Sequence, residues 1–171
     1  MRITSSPRAV LSPVLSDAPS VLLPYLCHDG SLTRVLERLA GCPLAVTVLA
    51  EDYRSLTLEE RKTLTNRRRL APQMAWVRHV RLSVRGVAWV EAKSIFPVTS
   101  LVGDAKRLTH LGRTPIGYVL FKKQKKLPFV RQFGRVGTDF VRHSVYDWQG
   151  RTVVVSERFL VGMLQDLNCI E

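Results

Sequence analysis

The segment MAWVRHVRLSVRGVAWVEA, residues 74–92, constrains the fold most strongly, because apolar and polar residues alternate along it. Such alternation is typical of β-strands that have one face on a core and the other in water. The pair Arg85-Gly86 interrupts the pattern near its middle and suits a tight turn. The segment therefore predicts an antiparallel hairpin with strands over residues 75–84 and 87–96.

Two charged residues of opposite sign interrupt the apolar faces of predicted strands. Arg78 shares its face with Trp76 and Val80, and Glu157 shares its face with Val155 in the later segment RTVVVSERFL. An unpaired buried charge is costly, so each residue needs a partner or a hydrated cavity. The residues alone leave two interpretations open. One is a structural ion pair or a pair of hydrated strand ends. The other is a closed pocket in which Arg78 binds a carboxylate bidentately and Glu157 accepts a hydrogen bond from a hydroxyl.

Weaker patterns along the chain predict one α+β domain. Residues 1–20, rich in serine and proline, are expected to be irregular, and residues 21–171 are expected to form a single domain. Strands outnumber helices and short turns connect them, which favours a single antiparallel sheet of about six strands with helices packed on one face. Besides the hairpin, the patterns predict helices at 31–40, at 100–111 and from residue 115, and strands at 43–51, 127–136, 138–147 and 151–160.

The chain is strongly basic, since 26 Lys and Arg against 14 Asp and Glu give a formal charge of +12 over 171 residues. This excess attracts anions of any kind and does not choose among nucleic acid, acidic membrane and a small carboxylated substrate. The basic runs Arg67–Arg69 and KKQKK, residues 122–126, have no interleaved aromatic residues. They are therefore interpreted as solvated loops rather than as nucleic-acid contacts.

Cysteine and histidine usage predicts neither a metal site nor a disulfide framework. The three cysteines are scattered without a CxxC motif, and the four histidines show no metal-ligand spacing. Proline and aspartate interrupt the apolar run over residues 9–26, which argues against a signal peptide and against a transmembrane helix. A reduced cytoplasm, without membrane insertion, fits these observations best.

Four sequence blocks stand in order and at suitable intervals over about residues 25–160. They are WVRHVRL (76–82), WVEAKSIFPVTSL (89–101), LGRTPIGYVLF (111–121) and VVVSERFL (153–160). Together, in this order, they resemble the chorismate lyase family, the bacterial chorismate pyruvate-lyases.

The resemblance implies a monomeric carbon–oxygen lyase that expels pyruvate from chorismate without a metal or cofactor. The product is 4-hydroxybenzoate, a precursor of ubiquinone. The resemblance further implies a pocket enclosed beneath flap-like segments, with Arg78 and Glu157 as catalytic and substrate-binding residues. Ile116 takes the place of a pocket residue that also presents its backbone to the ligand, and Leu32 that of a flap residue over the ring. A second cation should meet the enolpyruvyl carboxylate, and Arg142 is our candidate for it.

The chain departs from the family pattern at two places. Phe140 stands where relatives commonly have tryptophan, and Arg142-His143-Ser144 stands where they have Arg-Arg-Ser. Val161 takes the position of a proline after the glutamate strand. From the residues alone, Arg142 is interpreted as a surface arginine, although it shares its strand face with apolar neighbours.

Two other kinds of function stay open beside the lyase. A non-catalytic effector-binding domain for small carboxylates would use the same pair of charges, and binding of chorismate without turnover would identify it. A basic nucleic-acid-binding module would show affinity that falls with salt and indifference to chorismate, but the sequence has no recognised motif for it.

Overall fold

The computed structural model describes residues 13–64, 72–123 and 126–168, and this part of the chain contains one six-stranded antiparallel sheet. The order of the strands across the sheet is β1-β2-β3-β6-β5-β4. The strands are β1 (Ala45–Ser55), β2 (Met74–Val84), β3 (Val87–Pro97), β4 (Phe129–Val136), β5 (Asp139–Trp148) and β6 (Arg151–Phe159).

Six short α-helices and two 3₁₀ segments accompany the sheet in the described residues. The α-helices are α1 (Pro13–Ser16), α2 (Leu23–Leu26), α3 (Leu32–Ala40), α4 (Leu58–Leu64), α5 (Ile116–Leu120) and α6 (Val161–Asn168), and the 3₁₀ segments are Val98–Ser100 and Gly103–His110. The predicted architecture, an antiparallel sheet of about six strands with helices, is confirmed.

The predicted hairpin is formed by β2 and β3, with Val84 paired to Val87. Arg85 and Gly86 have φ angles of 48° and 86°, both in the left-handed region. Positive φ at both central residues is the signature of the type I′ turn, whose twist matches that of the flanking strands. The turn sets the pairing of the residues next to it, and an irregularity between Leu82 and Ser83 then shifts the register by one residue, so that Arg78 pairs with Ser94.

Helix α3 confirms the prediction for residues 31–40. The Ser31 side chain caps it by accepting a hydrogen bond from the Arg34 amide at 3.4 Å, and Gly41 ends it with a φ of 65°. Leu32 and Leu36 on this helix are buried against the sheet. The helix is thereby held across the strand face that bears Val80.

Most of the core lies between one face of the sheet and helices α2, α3, α5 and α6. The opposite face is partly covered by α4, whose Leu64 packs with Ala75 and Val77 of β2. The expectation that helices pack on one face therefore holds for most of them, and α4 is an addition on the other side. It follows that Ala75 and Val77, which alternate with Trp76 and Arg78, are buried as well.

Helices α2 and α6 are absent from the sequence-based expectations. Helix α6 follows β6 directly, so the boundary has no turn signal of its own, and only Met163 and Leu167 are buried along its eight residues.

Within the irregular segment expected at the start of the chain, the described part includes α1, whose Val14 and Leu15 pack against the core. Arg67–Arg69 and residues 124–125 of the KKQKK run lie outside the described residues. Among the helices described, none is long and apolar enough to cross a membrane.

Glu60 connects α4 to the sheet through a small polar network. Its carboxylate accepts hydrogen bonds from both terminal nitrogens of Arg54 at 2.7 and 2.8 Å, and from the Thr57 amide at 3.0 Å. Lys93 on β3 lies 3.4 Å away. The hydrogen bonds from Arg54 lower the pKa of Glu60 to about 2, against the opposing effect of burial.

We expect this network to make the protein sensitive to acid. Because the folded-state pKa of Glu60 is depressed, its contribution to stability is present above its ordinary value of 4.5 and is lost as the pH falls towards 2. Glu60→Gln should lower the free energy of unfolding at pH 7 by about 1–2 kcal/mol. The loss should shrink progressively below pH 4.5 in urea titrations. A difference between the two proteins that is independent of pH would contradict this role.

Candidate active site

Arg78 lies on the sheet face that carries most of the core, and its side chain is only 1% exposed. Its Nε donates to Glu51 on β1 at 2.6 Å, and its Nη2 donates to the Gly112 carbonyl at 2.5 Å. The third nitrogen, Nη1, is buried and has no hydrogen-bond partner among the described residues. A buried guanidinium with one unused donor is suited to bind an anion.

Glu157 is 8% exposed and lies on β6 directly opposite Arg142 of β5. Its Oε2 accepts a hydrogen bond from the Arg142 Nε at 2.5 Å. Arg78 and Glu157 therefore do not form the ion pair with each other that the sequence left open. Each has its own partner of opposite charge.

The expectation that Arg142 is a surface arginine is wrong, because its side chain is completely buried. Residues of the segment around Tyr25 and His28 pack over this part of β5 and cover the Arg142 side chain. The charge is tolerated because Glu157 lies opposite, and because Nη1 donates to the carbonyls of Tyr25 at 2.7 Å, His28 at 2.9 Å and Leu26 at 3.2 Å. Its Nη2 is buried without a partner among the described residues.

A mostly apolar cavity lies between the sheet and two covering segments. We call residues 23–33 the first flap and residues 111–121 the second flap. The sheet forms the floor of the cavity with Val80, Leu82, Ala92, Val155 and Glu157. The flaps form its roof, in which the structure places the two residues predicted there, Leu32 and Ile116. Arg78 lies two residues before Val80 on β2, on the same face and at the edge of this floor.

Contacts between polar groups hold both flaps in place. Arg142 binds three carbonyl oxygens of the first flap, and Arg78 binds the Gly112 carbonyl of the second. Tyr118 donates a hydrogen bond to Glu37 of α3, and this bond raises the pKa of the Tyr118 hydroxyl to about 12. At Gly117, a Cβ atom would lie 2.7 Å from the Ser31 Oγ, so the two flaps meet too closely for any larger residue.

Arg78 and Glu157 flank the floor of the cavity from two different strands. Strand β3 separates the two residues. Arg78 pairs with Ser94 of β3 and Glu157 pairs with Ala92, so they are offset by two residues along the strand direction. Two strand spacings and two residues along a strand put their Cα atoms roughly 12 Å apart. Long side chains reaching inward from such positions can contact the two ends of one small ring.

A basin on the surface adjoins the cavity. It has a volume of about 710 Å³ and shares Gly30 and Phe121 with the cavity lining. Arg34, Arg38 and Lys126 line it together with Asp29 and Glu37, so its rim carries charges of both signs with a small excess of positive charge. Burial and then the charge of Arg142 lower the pKa of His28 at its inner end, which keeps this imidazole neutral near pH 7.

The sequence patterns missed Glu51, the partner of Arg78. A bulge between Val48 and Ala50 shifts the alternation of β1 by one residue. Strict period-two counting along β1 therefore assigns Glu51 to the wrong face. The alternation of β5, by contrast, did place Arg142 with Phe140 and Tyr146, and this signal was sufficient to predict its burial.

These features make the cavity a candidate binding site for a small organic anion, with a buried carboxylate on its apolar floor and a buried cation at the edge of that floor. In the described residues, no group of three or more His, Cys, Asp and Glu side chains is placed to hold a metal ion.

Comparison with known proteins assigns the family. The sequence profile described as Chorismate lyase matches residues 11–168, so the chain belongs to the chorismate lyase family. The "Probable chorismate pyruvate-lyase" of Psychrobacter cryohalolentis is 44% identical over 145 residues, which cover 83% of this chain and 86% of that protein. The "Chorismate pyruvate-lyase" of Photorhabdus laumondii is 30% identical over 152 residues, which cover 89% and 86%. Chorismate pyruvate-lyases convert chorismate to 4-hydroxybenzoate and pyruvate without a cofactor, and the 4-hydroxybenzoate enters ubiquinone biosynthesis.

Solved structures give a much weaker likeness. A GntR-family transcriptional regulator from Bacillus cereus has a TM-score of 0.48 at 11% identity, over 68% of this chain and 91% of that one. A similarity of this size has no bearing on function.

We expect Arg142 to be essential for folding, because it neutralises Glu157 and binds the first flap. Arg142→Met should destabilise the protein by about 3–5 kcal/mol, since it leaves the buried Glu157 carboxylate without its cation and removes three hydrogen bonds to the first flap. The double variant Arg142→Met with Glu157→Gln should recover part of that loss, because the uncompensated charge is gone. Urea unfolding of the wild type, the two single variants and the double variant measures both effects. Strictly additive losses would show that the pair is not coupled.

Proposed function

We propose that this cavity binds chorismate between Arg78 and Glu157, and that the chain eliminates pyruvate from it to leave 4-hydroxybenzoate. The observation that carries the proposal is the buried Arg78 with its unpartnered Nη1, two strands away from Glu157, the carboxylate that lines the apolar cavity. Membership of the chorismate lyase family supplies the identity of the substrate. We further propose that the protein acts as a monomer in the cytoplasm.

Chorismate is a dianion, with one carboxylate on a cyclohexadiene ring and another on an enolpyruvyl ether. In the proposed arrangement, Arg78 binds the ring carboxylate through Nη1, and Glu157 lies at the opposite end of the ring, near the hydroxyl. Arg142 presents its unpartnered Nη2 to the enolpyruvyl carboxylate. Leu32 and Ile116 pack on the ring from the roof, and Ile116 also presents its backbone to the ligand.

The reaction needs little more than positioning. The ring carbon that bears the hydroxyl loses its proton, the neighbouring carbon–oxygen bond breaks, and the electron pair of the C–H bond completes the aromatic ring. The departing enolpyruvate takes up a proton and becomes pyruvate. A cavity closed by flaps excludes water and holds one conformer, and the positive charge of Arg142 stabilises the negative charge that develops on the leaving oxygen.

The proposal is tested by mixing the purified protein with chorismate, without metal or nucleotide. We expect 4-hydroxybenzoate to appear by absorbance and pyruvate to appear in equal amount in a coupled assay. Binding of chorismate without release of either product would identify a sensor instead of an enzyme.

Arg78→Ala should lower kcat/KM for chorismate by at least about 100-fold, because the ring carboxylate loses its charged donor. Arg78→Lys should also be poor, since a single ammonium cannot replace Nε on Glu51, Nη2 on the Gly112 carbonyl and Nη1 on the substrate together. Arg113→Ala, at an exposed position on the second flap, is the matched control and should be near wild type. Normal release of pyruvate by Arg78→Ala would refute the assignment.

Glu157→Gln separates two roles of the carboxylate, because glutamine keeps the shape but cannot accept a proton. Oε1 of Glu157 has no hydrogen-bond partner among the described residues, so it is free to act on the substrate. We expect a fall in kcat of about 100-fold or more, with little change in the affinity for 4-hydroxybenzoate, if Oε1 takes the ring proton. A loss of only severalfold in kcat would assign Glu157 to orientation of the hydroxyl and would exclude proton transfer.

A further inference from the structure

A second arginine accompanies Arg142 on the inner face of the sheet. Arg131, on β4, is half-buried. Its Nε donates to the Ser144 Oγ at 2.8 Å, its Nη1 to the His28 carbonyl at 2.7 Å, and its Nη2 to the Tyr146 hydroxyl at 3.2 Å. The His28 carbonyl is also a partner of Arg142, so the two guanidinium groups converge on one oxygen atom.

The cluster formed by Arg131, Arg142 and Glu157 carries one positive charge in excess. Arg131 and Arg142 contribute two cations, whereas Glu157 contributes one carboxylate, and it is bonded to Arg142. Every hydrogen-bond partner of Arg131 is neutral, and so is the Phe129 ring that lies 4.4 Å from its guanidinium carbon. Burial, and next the charge of Arg142, lower the pKa of Arg131. Arg142 is fully buried and Arg131 is half-buried, so an anion beside the two guanidinium groups would offset a repulsion that water screens only in part.

The residues that contact Arg131 connect this cluster to the cavity. Tyr146, which binds the Arg131 Nη2, lines the cavity, and Ser144 is paired in register with Val155 of the cavity floor. His28 lines the adjoining surface basin. Arg131 therefore contacts one residue that lines the cavity and one that lines the basin, and it lies across the sheet from Arg78.

We propose that Arg131 is a specificity-determining residue that, together with the unpartnered Nη2 of Arg142, forms a second carboxylate subsite. This inference rests on the proposed function and deepens it. The subsite takes the enolpyruvyl carboxylate of the substrate, which the aromatic product does not have. Arg131 supplies the uncompensated charge, and it positions the Tyr146 hydroxyl and the first flap around the subsite. The second carboxylate thus neutralises the cluster only while the substrate is intact.

The test compares a dianionic ligand with a monoanionic one. Arg131→Gln should raise the KM for chorismate about tenfold or more, because a charge-assisted contact is lost. It should change the dissociation constant of 4-hydroxybenzoate, measured by calorimetry, by less than about twofold. Arg135→Gln is the matched control on the same strand, at an exposed position, and should leave both values unchanged.

If Arg131 has only a structural role, Arg131→Gln should weaken the binding of both ligands to the same extent, and that result would overturn the proposal. Unchanged affinities for both ligands in the variant would overturn it as well. If Arg131→Gln does not fold, Arg131→Lys keeps the charge and replaces it in the comparison. The lysine variant keeps the charge but loses the planar fork, so it should raise the KM for chorismate by less than about tenfold, and a larger loss for 4-hydroxybenzoate than for chorismate would refute the subsite. Absence of turnover in the wild type would refute the lyase alone, since calorimetry with chorismate would still test the subsite.

Discussion

The structure depends on buried guanidinium groups that bind main-chain carbonyls of the segments above the sheet. Arg78 and Arg142 lie on strands of the sheet, yet they bind the second and the first flap respectively. Each is neutralised by a carboxylate from a neighbouring strand, Glu51 or Glu157. Removing Arg142 would leave the buried Glu157 without its cation and would break three hydrogen bonds to the first flap, and removing Arg78 would break the bonds to Glu51 and to the Gly112 carbonyl. The contacts that hold the flaps are therefore part of the fold.

This arrangement explains why a small domain keeps expensive charges in its interior. Two ion pairs that only supported the flaps could be replaced, both partners of each pair together, by apolar packing at little cost and often with a gain in stability. Here each arginine keeps one buried nitrogen without a partner among the described residues. An unused donor is a stability cost, and such costs are common at ligand-binding sites. The proposed contacts to the two carboxylates of chorismate would satisfy both donors at once.

Sequence alternation located the floor of the site but not its roof. It isolated Arg78 and Glu157, because a charge within an apolar strand face breaks a strict period of two. It could not assign Glu51, since the bulge in β1 changes the phase of the strand. The flaps are built from short helices and turns whose carbonyls do the binding, and backbone groups carry no residue-type signal. The family resemblance predicts Leu32 and Ile116 over the site, whereas only the structure shows that the Gly112 and His28 carbonyls bind the buried arginines.

The distribution of charge along the cavity also bears on how a product leaves a closed site. In the proposed reaction, both ends of the ring are held while the substrate is a dianion, but 4-hydroxybenzoate keeps only the carboxylate at the Arg78 end. Departure of pyruvate removes the anion beside Arg142, the residue that binds three carbonyls of the first flap. The excess positive charge of the cluster then returns, while the second flap stays held by Arg78. The reaction thus removes the anion at the Arg142 end of the site and leaves the one at the Arg78 end with the product, so the two ends of the site hold the product unequally.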